Sequence, residues 1–354
     1  MAAGDQAQAR LSWPAFALAI FWAAVVGGLG LAVVVLAILG PPPAPAPRRD
    51  ASAKAAAAHA ASLPVPPAPT AAHPPGAAIA APDPALLEPA PDFPGAFLPR
   101  IATDGRLPRI AYAGGADPGD QRPRVGLIIS GVGLSASESK AAIDDLPSGV
   151  SLAVSPYAGD PAPLLADARA RGHEILLSLP LEPQNYPLND AGPETLLTGA
   201  PAAENARRLE WVLSRITGYA GATGALDGMH GERFAAQLVN FTALQHDLAA
   251  RGLFYIDPRP GASPPVAIPG RVVDLIVDEP PSEAAINAAL DQLAERALAR
   301  GSALGLADLP RPVTVARIAA WAGTLAAHGL ALVPVSALVS MPAAKPEGSN
   351  HDQP

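Results

Sequence analysis

Between Arg122 and Leu338 short apolar runs alternate with amphipathic stretches, and this alternation limits the possible folds more than any other feature of the chain. The runs fall at 125–129, 150–154, 174–179, 222–226, 253–256, 272–277, 303–306 and 330–334. Unbroken apolar runs of this length read as buried strands. The stretches between them read as helices. Over 283–300, Ile286, Ala289, Leu290, Leu293, Ala297 and Leu298 share one helical face. Ser135 and Glu138 have the spacing of a capping box. Seven or eight such units predict an α/β fold with a parallel sheet, most economically a closed or nearly closed β/α barrel.

The N-terminal third has a different character. Ala15–Leu39 is an almost unbroken apolar stretch inside a segment, 11–47, that carries no charge. As a helix it would be ~37 Å long, enough to cross a hydrocarbon core of ~30 Å, so it is expected to be a single transmembrane signal anchor. It is too long for the h-region of a cleaved signal peptide, roughly 7–15 residues. Residues 1–14 form a short tail before it. Residues 40–105 are rich in proline and alanine and read as an extended, disordered linker that cannot build a core of its own. Residues 339–354 read as a disordered C-terminal tail. The expected location is the bacterial inner membrane, with the C-terminal domain in the periplasm. Charge placement argues the other way, because Arg48, Arg49 and Lys54 follow the span and only Arg10 precedes it.

A net charge of −8 and the lack of any basic run exclude nucleic acid as a main partner. The absence of cysteine excludes disulfides, thiolate catalysis and cysteine-based zinc sites. One motif suggests a nucleotide: the first strand runs into Gly131-Val132-Gly133-Leu134-Ser135-Ala136, a G-x-G-x-x-A turn. A dinucleotide fold also needs an acid after the second strand to hold the ribose, and there the chain reads Val154-Ser155-Pro156-Tyr157. A nucleophile elbow fails as well, since Ile128 stands where its first glycine belongs.

Six segments in order carry a resemblance. They are "VGLIISGVG" from Val125, "GHEILLSLPLEP" from Gly172, "GALDGMHGERF" from Gly224, "LFYIDPRPG" from Leu253, "VDLIVDE" from Val273 and "GSALGLADLPRPVT" from Gly301. Together they make residues 122–338 resemble the divergent polysaccharide deacetylases, a branch of the metal-dependent carbohydrate deacetylases. The resemblance implies a distorted β/α barrel of seven to eight parallel strands that acts on or binds cell-envelope polysaccharide. It implies a divalent metal in active relatives, and it shows what this chain has replaced. Ser130 and Gly131 stand where the family has two aspartates, and Ser178 where it has a histidine before Leu-Pro. His230 lies one place from the family's histidine, and Asp308 falls where a Gly-His-Pro is expected. His230 and Asp308 are the remaining candidates for metal ligands. The glycine turn then reads as a metal-site strand end without its carboxylates.

Acids still collect at strand ends, where barrel active sites form. Glu182, Asp257 and Asp278 match the family's own strand ends and are the candidate catalytic carboxylates. Arg233, Arg259, Asp227 and Ser130 are candidate substrate contacts, the arginines as partners of these acids or of an acidic sugar. Three functions stay open: a deacetylase-like hydrolase, a catalytically inactive barrel that binds glycan or an envelope protein, and a glycosidase built on a carboxylate pair. The reading of the N-terminal third is tested directly by fractionation. The full-length protein should sediment with membranes, and protease added to spheroplasts should digest the C-terminal domain. Protection of that domain while a periplasmic control is cut would reverse the orientation.

Overall fold

The computed structural model describes residues 74–342. The expected membrane span at 15–39, the linker up to residue 73 and the tail from residue 343 lie outside the described residues. No helix among the described residues is long and apolar enough to cross a membrane.

The domain is a curled, mostly parallel sheet in which each strand is followed by a helix or a long loop. After a small antiparallel pair, β1 (Leu87–Pro89) and β2 (Phe97–Pro99), and a one-turn helix α1 (Pro108–Ala111), the main strands begin. They are β3 (Arg124–Val132), β4 (Val150–Val154), β5 (Ile175–Ser178), β6 (Gly221–Thr223), β7 (Phe254–Asp257), β8 (Gly270–Val272), β9 (Leu275–Ile276), β10 (Ser302–Ala307) and β11 (Ala331–Leu332). The helices between them are α2 (Ala136–Asp145), α3 (Pro161–Ala170), α4 (Ala202–Leu213), α5 (Glu232–Ala236), α6 (Leu238–Ala250), α7 (Glu283–Arg300) and α8 (Pro312–Ala322). The strand order is β8-β7-β6-β5-β4-β3-β10-β9, with β11 added beside β3. The two ends of this order, β8 and β9, are consecutive pieces of one segment. Gly270–Val272 pairs with β7 and Leu275–Ile276 pairs with β10, so the chain changes partner at Val273-Asp274.

Two layers of core arise from the alternation of side chains along these strands. Ile128, Ala153, Leu176, Phe254, Ile256, Leu304 and Leu306 fill the inside of the curl, which Val335 and Leu338 plug at its lower end. Val125, Leu127, Ile129, Leu152, Leu177 and Tyr255 point outward against the helices. Ser135 accepts from the Glu138 amide and so caps α2. α7 buries Ile286, Leu290, Leu293 and Ala297, whereas Leu298, expected on the same face, is 53% exposed.

Two expected boundaries need correction. The linker does not run to residue 105, because the chain is already packed by Ile79. Ile79, Leu86, Leu98 and Ala102 are buried against the barrel, and Asp83 caps a short 3-10 turn, Pro84–Leu86. A proline- and alanine-rich segment cannot form a core alone, but it can lay a few apolar side chains on a core that exists. At the other end, Gly270 and Ser340 exchange two backbone hydrogen bonds, so the domain extends past Leu338.

A buried polar hub holds the lower end. Glu174, fully buried at the start of β5, accepts hydrogen bonds from the amides of Gly114 and Ser336 and from the Ser151 hydroxyl, at 3.0, 3.1 and 3.0 Å. Burial pushes its carboxyl above the usual range, against these donors. Beside it, His173 lies between the carbonyls of Val150 and Ile143, a structural position. Glu174→Ala would strand two buried donors and one partly buried amide, each unmet buried group costing about 1–3 kcal/mol. Urea unfolding should show a loss of roughly 3 kcal/mol or more. A midpoint close to wild type would mean that the plug does not depend on this hub.

Candidate functional site

The upper ends of the strands carry the residues that the sequence singles out, and one acid, Asp308, links three of them. Asp308 follows β10. Its amide donates to Asp278 Oδ1 at 2.8 Å, its carbonyl accepts from the Ser130 hydroxyl at 2.7 Å, and its carboxylate meets His230 Nε2 at 2.9 Å. Asp278 follows β9 and is also approached by the Leu309 amide, the Thr314 hydroxyl and Arg311, the last at 3.2 Å. Burial pushes Asp278 above the usual carboxylate range, and the neighbouring Asp308 adds to this against the donors.

His230 sits at the end of the loop after β6, buried, with Glu232 Oε1 3.6 Å from its Nδ1. Burial alone would lower its pKa. The hydrogen bonds and charges of Asp308 and Glu232 outweigh that and raise it to about 9, so at neutral pH it is an imidazolium between two carboxylates.

The other two acids form separate pairs. Asp257, fully buried at the end of β7, is held by Arg259 through Nε at 2.9 Å and Nη2 at 2.6 Å, and it also accepts from the Arg259 amide. Arg259 stacks over the Phe241 ring. Glu182 accepts from the Thr198 amide at 2.5 Å and pairs with Arg233 Nε at 3.1 Å, joining α5 to the long loop after β5. Asp227 stands apart: it is exposed in a tight turn with φ 50° and has no part in these pairs.

These residues do not fit the metal that the resemblance implies. Gly131 has φ +71°, where a side chain is strained, and a Cβ there would overlap the Leu309 side chain and lie 3.3 Å from the Asp308 carbonyl. The loop after β10 thus fills the space in which an aspartate at 131 would stand. The Ser130 hydroxyl is used on that same loop. Ser178, where a histidine would be, is fully buried, and its hydroxyl has no partner. The one histidine is tied to Asp308 and Glu232, and among the described residues no three His, Asp or Glu side chains form a group able to hold a metal ion. Sequence reasoning missed Leu309, Thr314 and Glu232. Only Glu232, beside His230 in the chain, had a local signal.

Fold and site together define a curled, parallel α/β barrel whose strand end is closed by paired charges. The model of the divergent polysaccharide deacetylase family matches residues 127–339, more than half of the chain, and the protein belongs to that family. A solved structure of an uncharacterised protein from Agrobacterium tumefaciens C58 is 35% identical, with a TM-score of 0.64, covering 69% of this chain and 100% of that one. More distant solved structures include the catalytic domain of a peptidoglycan N-acetylglucosamine deacetylase from Eubacterium rectale, 14% identical with TM-score 0.44, covering 66% and 96%. A family 4 carbohydrate esterase from Streptomyces lividans in complex with acetate is 16% identical with TM-score 0.39, covering 62% and 98%. No curated protein matches the chain significantly.

The His230 pair gives the site a pH signature. Its folded pKa, about 9, lies above the ordinary value of 6.5. The stabilisation is therefore complete below that ordinary value and is lost as pH rises through the folded one. Urea unfolding of the full chain should show stability falling over that window, by up to about 3 kcal/mol. His230→Gln should be less stable at pH 6 and flat across the window. A wild-type profile with no slope there would remove the ion pair.

Proposed function

We propose that the protein is a carbohydrate-binding member of its family that does not carry out metal-dependent deacetylation. The observation that supports this reading is the pairing of the site's own groups. Deacetylation on such a barrel needs a cation to polarise the acetyl carbonyl and activate water, with a free base beside it. Here Asp308 engages His230, Asp257 engages Arg259, Glu182 engages Arg233, and Leu309 covers Gly131. The same pairing tells against a carboxylate-pair glycosidase, which needs two acids facing one sugar.

Carbohydrate is the ligand class because the family's described chemistry is polysaccharide deacetylation. The polar rim suits a glycan: Arg233, 53% exposed, is held on the buried Glu182, and Asp227 is exposed in its own turn. With the apolar stretch at 15–39 as an anchor, the barrel would meet cell-envelope glycan from the outer side of an inner membrane.

The test is metal content, acetate release and binding on one preparation. The full-length protein should carry well under one equivalent of transition metal, melt at the same temperature with and without chelator, and release no acetate from acetylated glycans. It should still bind envelope oligosaccharides saturably, and Asp227→Asn, at an exposed position whose positive φ asparagine tolerates, should weaken that binding without lowering the melting temperature. Stoichiometric metal together with acetate release would restore the active-deacetylase reading.

A further inference from the structure

Residues 74–105, a strap packed on the barrel, form one wall of a cavity that shares no lining residue with the strand-end cluster. This groove has a volume of about 610 Å³, within the ~300–1,000 Å³ typical of small-molecule sites. Its walls are apolar along most of their length: Ile79 and Phe97 on the strap side, Leu165 on α3, and Ile216 after α4. Phe97 is left 44% exposed there.

Two arginines interrupt the apolar lining. Arg169, on the last turn of α3, is only 8% exposed. Its Nη2 donates to the carbonyls of Thr217 and Gly218, but its Nε–H has no acceptor. Arg215 is exposed, lies over the Trp211 ring at 4.9 Å and places its Nε 3.3 Å from the Pro156 carbonyl. Among the described residues neither arginine has a carboxylate within 4.0 Å. Nearby solvent-facing basic groups do find acids: Arg171 bridges Asp144 and Asp167, and Arg207 bridges Glu194.

A nearly buried guanidinium without a counter-charge carries a desolvation cost that carbonyl contacts only partly offset. An anion arriving from the groove would supply the missing charge, and the apolar walls would cover an apolar body attached to it. We propose that the groove binds an apolar-tailed carboxylate, with its head beside Arg169 and Arg215 and its tail along Ile79, Leu165 and Phe97. A carboxylate is chosen over a phosphate dianion because one negative charge balances the nearly buried Arg169, whereas a second charge would be desolvated against the same apolar walls with only the exposed Arg215 to answer it.

The full-length protein tests this directly by calorimetric titration with octanoate, neutral octanamide and octyl phosphate. Octanoate should bind saturably at one site, and octanamide roughly tenfold or more weakly, the loss expected when a charge-assisted contact becomes neutral. Arg215→Gln should weaken octanoate several-fold, and Ala166→Trp, on the exposed groove side of α3, should abolish binding by filling the groove. Both variants leave the Arg169 bonds in place, so they remain informative if Arg169→Gln does not fold. Octanoate that does not saturate, that binds no better than octanamide, or that ignores Ala166→Trp in a protein of wild-type melting temperature would overturn the site. Tighter binding of octyl phosphate than of octanoate would overturn the choice of carboxylate.

Discussion

The barrel depends on one short segment that serves both of its edges. Between Gly270 and Ile276 the chain pairs first with β7 and then with β10, and Asp274 stands at the change of partner. Its amide donates to the Leu304 carbonyl, its carboxylate accepts from the Leu304 amide at 2.9 Å, and Arg271 and Arg296 hold its side chain and carbonyl. A parallel sheet with open edges would leave rows of unpaired amides and carbonyls. The split segment meets both rows with one run of chain. It also sets the height of the strand end above it, because Val277 donates to the Leu306 carbonyl and the next residue is Asp278, aimed at the amide of Asp308.

From that register the closed strand end follows. Once the loop after β10 is held down by Asp278, Leu309 lies over Gly131, and the Asp308 carbonyl reaches the Ser130 hydroxyl. His230 then pairs with the Asp308 carboxylate. An aspartate at 131 would need the loop to lift and the backbone to leave its positive φ, so no single replacement recovers a metal-binding geometry. Charge, space and backbone together keep this strand end closed.

Much of the barrel was legible in the sequence because its strands are buried on both faces and so read as unbroken apolar runs. The capped start of α2 at Ser135 and the apolar stripe of α7 were local patterns of the same kind. The illegible parts depend on distant stretches of the chain. The run at 272–277 gives no sign that its strand divides at Asp274, since a change of partner depends on two other strands. The strap from residue 74 to 105 was read as linker because composition reports what a segment can bury by itself, not what it can bury against a neighbour. In the site, Asp257 and Arg259 are two residues apart, so their pairing could be expected. His230 and Asp308 are separated by 78 positions and meet only because β6 and β10 end at the same rim.

The strap also shows how a family barrel can gain a surface its strands do not provide. Its own apolar residues are few, and Ile79, Leu86 and Leu98 go down onto the barrel. Between such anchors the strap folds onto itself through the 3-10 turn Pro84–Leu86 and the antiparallel pair of β1 and β2, and only part of it faces α3. A groove is therefore left alongside α3 and the turn after α4, and Arg169 fixes its floor by reaching the carbonyls of Thr217 and Gly218. That arginine holds the turn after α4 while its own charge stays unanswered by any acid nearby. A side chain needed only to hold the turn could have done so as a neutral donor, without the desolvation cost of a buried charge. The retained cation therefore gives the groove a preference for anions that the barrel beneath it does not require.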